Sequence, residues 1–560
     1  MKYLMPLRTN IMLLMAWCVS SHAQYVKDPR KIEAQVQTAL DSAYSASVQI
    51  VPFDTIQNRQ RPGVFSGVVV SAQGHILTVA HATTPNAVYQ VMFPDGAKHI
   101  AIGKGRMAIK QQGRDLDMAM IKILRPGTWP YAKMVSNTGM KAGQLCLSIS
   151  FPGSYNPKAQ PNIRVGRIND PSVSSGYFET SCKMEPGDSG GGLFDGAGRL
   201  LGLHSWIKRS EDQNFEVPVD LYKKYWTALN RAEDYKELPE MDDFRAVPDP
   251  VSIPLIAPVE ELVSVPGTLR KSIVMLESKR SGKPVRILAT VIEAKNAGKR
   301  QAFLISKSSM VADSPLVSYM GNTVELQVLE RDRENDLVLL MARSALPKGI
   351  PLKSIPDSIA LSKADLGKFL VSGLNEAGKK VGVLSSIYTR MPLRFSVGYF
   401  GANARFIDEK ITITDIAKGG AASNSLQLND QVTGIGGVPI SRPPEYGAEL
   451  MKHLAGDSLT VDAVRAGQPI QVRMYLPAQP GPNHVASQFE GGRSARSDGF
   501  ARVLVHDAAV TAGECGGPVF DVSGTFLGIN IARHSRTSTV IMPADVVKKF
   551  IVNGLKIKKT

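Results

Sequence analysis

Short apolar runs broken by glycine and turn residues dominate the chain, beginning with Val64–Val70, Ile76–Ala80, Met118–Leu124 and Leu145–Ile149. Runs of this length between turn signals predict β-strands, and several in succession predict an all-β barrel or sandwich. Helix-period patterns are confined to Pro29–Ala46, Leu221–Leu238 and Val546–Leu555. The run Ile11 to Val19 is too short to span a bilayer, which takes about 20 residues. With Lys2 and Arg8 before it and the small-x-small triplet Ser21-His22-Ala23 after it, residues 1–23 read as a secretory signal. No later run is long and apolar enough for a transmembrane helix. The chain is therefore expected to be exported, to the periplasm or outside the cell, with a bacterial envelope as the natural setting.

The apolar pattern repeats. Residues 187–204 (GDSGGGLFDGAGRLLGLH) and 513–530 (GECGGPVFDVSGTFLGIN) share eight of eighteen positions at an offset of 326. Upstream, Asp117–Ile121 pairs with Asp336–Leu340 at 219, and Val165-Gly166 with Val381-Gly382 at 216. The offset thus jumps by 110 between Gly382 and Gly513, the size of a small domain. A duplicated β-domain with a guest inserted in its second copy follows. The expected division is a signal at 1–23, a first domain at 24–238, a stiff Pro-rich linker at 239–266, a second domain at 267–394 and 481–560, and an insert at 395–480.

Composition narrows the partners. Hydrophobic residues are 43% of 560 and charged residues 21%, ample for several packed cores. The net charge is +16, but the basic residues form no arginine block and alternate with no aromatic platform, so no nucleic-acid partner is expected. Cys18 leaves with the signal, and Cys146, Cys182 and Cys515 remain. That odd, sparse set is no disulfide framework and has no metal-ligand spacing, so neither metal nor cofactor is expected. The sequence sets no oligomeric state.

Three polar residues in the first copy carry chemistry. His81 ends an apolar strand, Asp117 opens another, and Ser189 sits in Gly187-Asp188-Ser189-Gly190-Gly191. A serine hydroxyl becomes a nucleophile when an imidazole takes its proton, and the imidazole needs a carboxylate to fix its tautomer. The glycines allow the amides of Gly187 and Ser189 to converge on one point as an oxyanion hole. The loop also fits the G-x-S-x-G pattern of α/β-hydrolases, but those run serine, acid, histidine on a βαβ background. The order His, Asp, Ser on an all-β background is of the chymotrypsin type.

With Thr78-Val79-Ala80-His81, Asp117-Met118-Ala119 and Gly187–Gly191, residues 50–230 resemble the trypsin-like serine protease family, most closely its HtrA-type branch. The resemblance implies a mainly β fold: two chymotrypsin-like double β-barrel domains in tandem, the second interrupted. It implies that Ser205 and Trp206 belong to a substrate-binding strand. It also implies that Lys183, six residues before the serine, lies at the base of the primary pocket or points to solvent; in the pocket it would favour acidic or carboxylate groups.

In the second copy Ser309 stands where His81 would be, Asp336 keeps the acid, and Cys515 replaces the serine. A thiol still needs a base, which Ser309 cannot be, so this copy reads as a pseudo-protease. Residues 395–480 resemble a PDZ domain, with Tyr399-Phe400-Gly401-Ala402 as its carboxylate-binding loop. Such a domain takes an extended C-terminal peptide as an added strand; the alternative is a spacer with a blocked groove. The expected function is a serine endopeptidase acting on protein or peptide substrates, unfolded or recruited by the PDZ domain. The competing reading is a non-catalytic scaffold built from the same parts.

Overall fold

The computed structural model describes residues 25–111, 114–153, 160–173, 175–248, 251–265, 267–280, 283–296, 299–319, 321–342, 346–375, 378–481 and 483–556; the expected signal lies outside them. The predicted strands form within a few residues of their apolar runs, as Phe65–Val69, His75–Thr78, Arg114–Ile123 and Leu145–Ser150. The first three join Ser47–Asp54, Val88–Met92 and Lys98–Gln111 in a circuit closed by pairing of Lys98–Gln111 with Arg114–Ile123. Leu145–Ser150 belongs to a second closed barrel with Asn162–Asp170, Phe178–Thr180, Gly192–Asp195, Leu200–Ile207 and Asn214–Pro218. Inward-facing apolar residues fill each barrel: Val48, Ile50, Val91 and Ile121 in one, Cys146, Phe178 and Leu193 in the other.

The second copy repeats the plan. Ile273–Arg280, Lys283–Asn296, Lys299–Lys307, Leu316–Tyr319, Asn322–Asp332 and Leu337–Ala342 make one circuit. Phe369–Asn375, Gly378–Met391, Phe500–His506, Pro518–Asp521, Phe526–Ser535 and Ser538–Pro543 close the other barrel. The chain is mainly β, and its six-stranded barrels are those of chymotrypsin-like folds. Between Gly378–Met391 and Phe500–His506 the chain leaves to form a separate sheet, ordered Ala402–Ile407, Lys410–Ile416, Gln431–Ile435, Ser458–Arg465, Gln468–Tyr475, with a helix at Pro443–Leu450. It has its own core around Ile413, Ile435 and Val461.

The helix Pro29–Ala43 begins with an Asp28 side-chain cap and Pro at N1, and buries Ile32, Val36, Ala39 and Leu40 at helical spacing. It lies against both copies: Glu33 Oε1 accepts the Phe369 amide at 2.7 Å. The helix expected over Leu221–Leu238 is shorter than the sequence suggested. It runs as Val219–Lys224 and Trp226–Leu229, interrupted at Tyr225. Asp234–Tyr235 instead pairs parallel with Arg106–Met107, secured by Arg106 Nη1 on Asp234 Oδ1 at 2.7 Å.

The two copies meet through equivalent parts. Asn162–Asp170, holding Val165-Gly166, packs on Gly378–Met391, holding Val381-Gly382. One continuous core runs from Ile32 and Val36 through Phe369 to Ile551. The Pro-rich segment is anchored in this junction: Ile256 is fully buried and its amide donates to Gly143 O at 2.8 Å.

Candidate active site

His81 lies in the single turn Ala80–Ala82 that follows His75–Thr78, and Asp117 lies in the neighbouring strand, where Thr78 pairs with Ala119. This pairing brings the imidazole to the carboxylate. His81 Nδ1 is 2.7 Å from Asp117 Oδ2, and the His81 amide donates to Asp117 Oδ1 at 2.9 Å. The other ring nitrogen, Nε2, is 3.0 Å from Ser189 Oγ. Ser205 Oγ donates to Asp117 Oδ2 at 2.6 Å, and Arg106 Nε donates to Ala80 O at 2.9 Å, holding the histidine turn from behind.

The side chain of His81 is 49% exposed and that of Asp117 15%. Burial works against a charged imidazole, but the hydrogen bond and charge of Asp117 outweigh it and raise His81 above its ordinary value. Burial likewise opposes the Asp117 carboxylate, yet His81 and the Ser205 hydroxyl hold it below the usual carboxylate range. Nδ1–H therefore faces the carboxylate, and Nε2 is left to accept the serine proton.

The serine loop is fixed to the first barrel. The Ser66 amide donates to Ser189 O at 2.9 Å, Ser66 Oγ to Gly187 O at 2.8 Å, and Thr78 Oγ1 to Ser66 O at 2.8 Å. Glycine is required at two positions. Gly190 has φ +79° and a Cβ there would lie 2.0 Å from Thr78 Oγ1; Gly187 has φ +103° and its Cβ would lie 2.2 Å from the Gly153 amide. Among the described residues, the amides of Gly187 and Ser189 donate to no backbone carbonyl, so both remain available to an oxyanion.

A cavity of about 610 Å³ opens at Ser189, lined among others by Phe65, Met184, Trp206 and Val485. Trp206 stacks on Phe215 with ring centroids 3.9 Å apart. Lys183 does not line this cavity, nor does it point to solvent. Its ammonium lies 3.5 Å from Glu211 of the same copy and donates to Asp507 O at 3.0 Å, an acceptor from the second copy that local sequence does not reveal. The sequence also gave no sign of Val485, which reaches the cavity from beyond the insert. Nor did it single out the fully buried Arg164–Asp188 pair at 2.8 Å, although Asp188 stands beside the serine.

In the second copy Ser309 takes the place of His81: its amide donates to Asp336 Oδ1 at 2.7 Å and its hydroxyl to Asp336 Oδ2 at 2.9 Å. Lys307 Nζ also donates to Asp336 Oδ2, and to Arg496 O and Ile531 O, at 2.6–2.8 Å. These three acceptors take up the three hydrogens of the Lys307 ammonium. Cys515 is fully buried, and burial pushes its thiol up. The sulfur lies 3.9 Å from Ser494 Oγ and 3.7 Å from Thr511 O, while His506 bonds Asn530 Oδ1 at 2.8 Å and His534 bonds Ser497 O at 3.0 Å. Cys146 and Cys182 are less solitary than their spacing implied, with sulfurs 3.8 Å apart inside the first copy.

In the insert, Tyr399–Ala402 leads into the end strand of the sheet. The Tyr399 amide donates to Pro477 O at 2.8 Å, Phe400 packs edge-on against Tyr446 from the helix, and Gly401 O accepts from Ala417 at 2.8 Å. Tyr446 Oη donates to Ala402 O at 2.9 Å.

The chain is similar to known proteins over part or most of its length. Residues 65–203 match the family model of the trypsin-like peptidase domain. A probable periplasmic serine endoprotease DegP-like of Marinomonas sp. is 24% identical over 435 residues, 75% of this chain and 80% of the relative. Mouse serine protease HTRA4 is 27% identical over 178 residues, 31% of this chain and only 34% of the relative. Among solved structures, the HtrA-type protease AlgW with tripeptide (15% identity, TM-score 0.29) is covered over 98% of its length and 80% of this chain. The serine endoprotease from Yersinia pestis (15% identity, TM-score 0.30) is covered over 97% of its length and 79% of this chain. Residues 65–203 accordingly match a trypsin-like peptidase domain, and over most of its length the chain is similar to a DegP-like serine endoprotease of the HtrA type.

Proposed function

We propose that this chain is an exported serine endopeptidase in which only the first copy cuts. The observation that carries the reading is the pair of contacts from one imidazole, Nε2 to Ser189 Oγ at 3.0 Å and Nδ1 to Asp117 Oδ2 at 2.7 Å. Ser189 Oγ attacks the peptide carbonyl while His81 Nε2 takes its proton. The amides of Gly187 and Ser189 receive the negative oxygen. His81 then hands the proton to the leaving amine, and water repeats the sequence to release the acyl group. Asp117 orients the ring and stabilises its cation throughout.

Export and an envelope location fit the expected signal and the periplasmic designation of the Marinomonas relative. Among the described residues no helix is long and apolar enough to cross a membrane. Unfolded proteins are the proposed substrates, and residues 395–480 are proposed as a PDZ domain that recruits C-terminal peptides. What supports recruitment is the strand Ala402–Ile407, which pairs on one side only and leaves an edge for an added strand. Tyr446 already occupies one lone pair of Ala402 O, so a peptide must share or displace that contact. The second copy is proposed as a pseudo-protease.

Degradation of reduced, unfolded casein tests the reading. Wild type is expected to fragment it, Ser189→Ala to leave it intact. Casein bound but uncut by wild type would instead favour the scaffold.

A further inference from the structure

The serine loop and the substrate strand of the first copy both rest on one turn of the second. Asp188, fully buried, accepts from the Glu185 amide at 2.9 Å, Ser150 Oγ at 2.9 Å and Arg164 Nη1 at 2.8 Å. Arg164, also fully buried, turns its other nitrogen to Thr537 Oγ1 at 3.3 Å. Thr537 lies between Phe526–Ser535 and Ser538–Pro543 of the second copy.

Its neighbour Arg536 is buried as well and inserts into the first copy. Nη1 donates to Lys208 O at 3.0 Å and Arg209 O at 3.1 Å, and Nη2 to Ser210 O. Those carbonyls belong to the loop 208–213, the direct continuation of the strand that carries Ser205 and Trp206. Arg536 Nη2 also lies 3.5 Å from Asn214 Oδ1, the oxygen that accepts the amide of Met184, a cavity residue. Arg533 completes the contact with Nη2 on Glu211 Oε2 at 2.9 Å.

A buried guanidinium is tolerated only where acceptors replace its water, and the exposed residues Lys208, Arg209 and Ser210 turn their carbonyls inward to supply them. Arg536 and the loop 208–213 therefore fix one another: the loop must keep its carbonyls convergent, and without the cation it has no reason to. The turn 534–538 of the second copy is the counterpart of the loop 208–213 of the first, which it contacts through Arg536.

We propose that the turn 533–539 is a built-in clamp that holds the substrate strand and the Asp188-supported serine loop in reactive geometry, with Arg536 and Thr537 as positioning residues. This rests on the hydrolytic reading of Ser189, and the experiment separates the two. Full-length wild type, Arg536→Ala, Arg536→Lys and Thr537→Val are compared by the rate of fluorophosphonate labelling of Ser189 and by hydrogen exchange of residues 184–190 and 206–213. Arg536→Ala is expected to label about tenfold slower, roughly the worth of a lost charged hydrogen-bond donor. Exchange across 208–213 is expected to quicken by about the same factor. Lysine keeps the charge but lacks the planar two-nitrogen fork that reaches Lys208 O, Arg209 O and Ser210 O, and restores only part of the rate. Folded Arg536→Ala with wild-type labelling and exchange overturns the proposal. If that variant fails to fold, Thr537→Val decides: slower labelling supports the clamp and an unchanged rate contradicts it. A wild type that takes no label at all defeats the hydrolytic reading, and the clamp as a positioning device for Ser189 falls with it; the exchange data then report only whether Arg536 orders the loop.

Discussion

Lys307 Nζ stands 2.6 Å from Asp336 Oδ2, where the first copy sets His81 Nδ1 2.7 Å from Asp117 Oδ2. A lysine ammonium thus takes up this carboxylate, which has no imidazole to orient. The second copy has Ser309 at the position of the imidazole, and a lysine ammonium pairs with the carboxylate instead. Lys307 and Asp336 are both about 1% exposed, so removing one strands the other in a medium that does not solvate it. Lys307→Met is expected to destabilise the second copy by about 3–5 kcal/mol. Urea unfolding measures this, and a loss below about 1 kcal/mol would contradict the assignment.

The pH dependence follows from His81 and Asp117. Catalysis needs neutral His81, so kcat/KM should rise with pH through a midpoint above the ordinary histidine value of about 6.5. The stability linked to His81 has the opposite sense: its proton is held more tightly folded than unfolded. That contribution is complete below the ordinary value and fades as pH rises through the raised one. The contribution of Asp117 is present above its ordinary value and fades as pH falls through its lowered one. Asp117→Asn should cut kcat by about 10⁴-fold and shift the midpoint down. A profile centred below the ordinary histidine value in wild type would contradict the geometry.

Cys515 should be inert. Burial raises its thiol and closes it to reagent, so iodoacetamide at pH near 7 should alkylate it at least about a hundredfold slower than a free thiol. Peptide mapping over time measures this; modification as fast as free cysteine would reopen a thiol chemistry for the second copy.

The copies should not separate cleanly. A fragment ending at residue 248 uncovers Val36 and the outer face of Asn162–Asp170, which the shared core now covers. It is expected to melt lower than the full chain and to self-associate. A monomeric fragment with the melting temperature and labelling rate of the full chain would contradict a shared core.

What the sequence made legible was local. His81, Asp117 and Ser189 each sit in a short run whose pattern speaks for itself: a strand end, a strand entry, a serine among glycines. The insert was visible because a change of repeat offset needs no structure. Lys183 was misplaced because its hydrogen-bond acceptor, Asp507 O, lies across a junction that no periodicity marks. The helix expected to reach Leu238 stops at Leu229, since Asp234–Tyr235 finds a partner in Arg106–Met107 over 120 residues earlier in the chain. Arg536 was silent for the same reason: its role exists only when the two copies are packed.

The central claim is that one copy cuts and the other is disarmed. Intact-mass spectrometry of the full chain after fluorophosphonate treatment tests it most directly. A single adduct, mapped to Ser189 and absent from Ser189→Ala, is the expected result. No adduct on folded wild type, or an adduct in the second copy at Ser309 or Cys515, would contradict it.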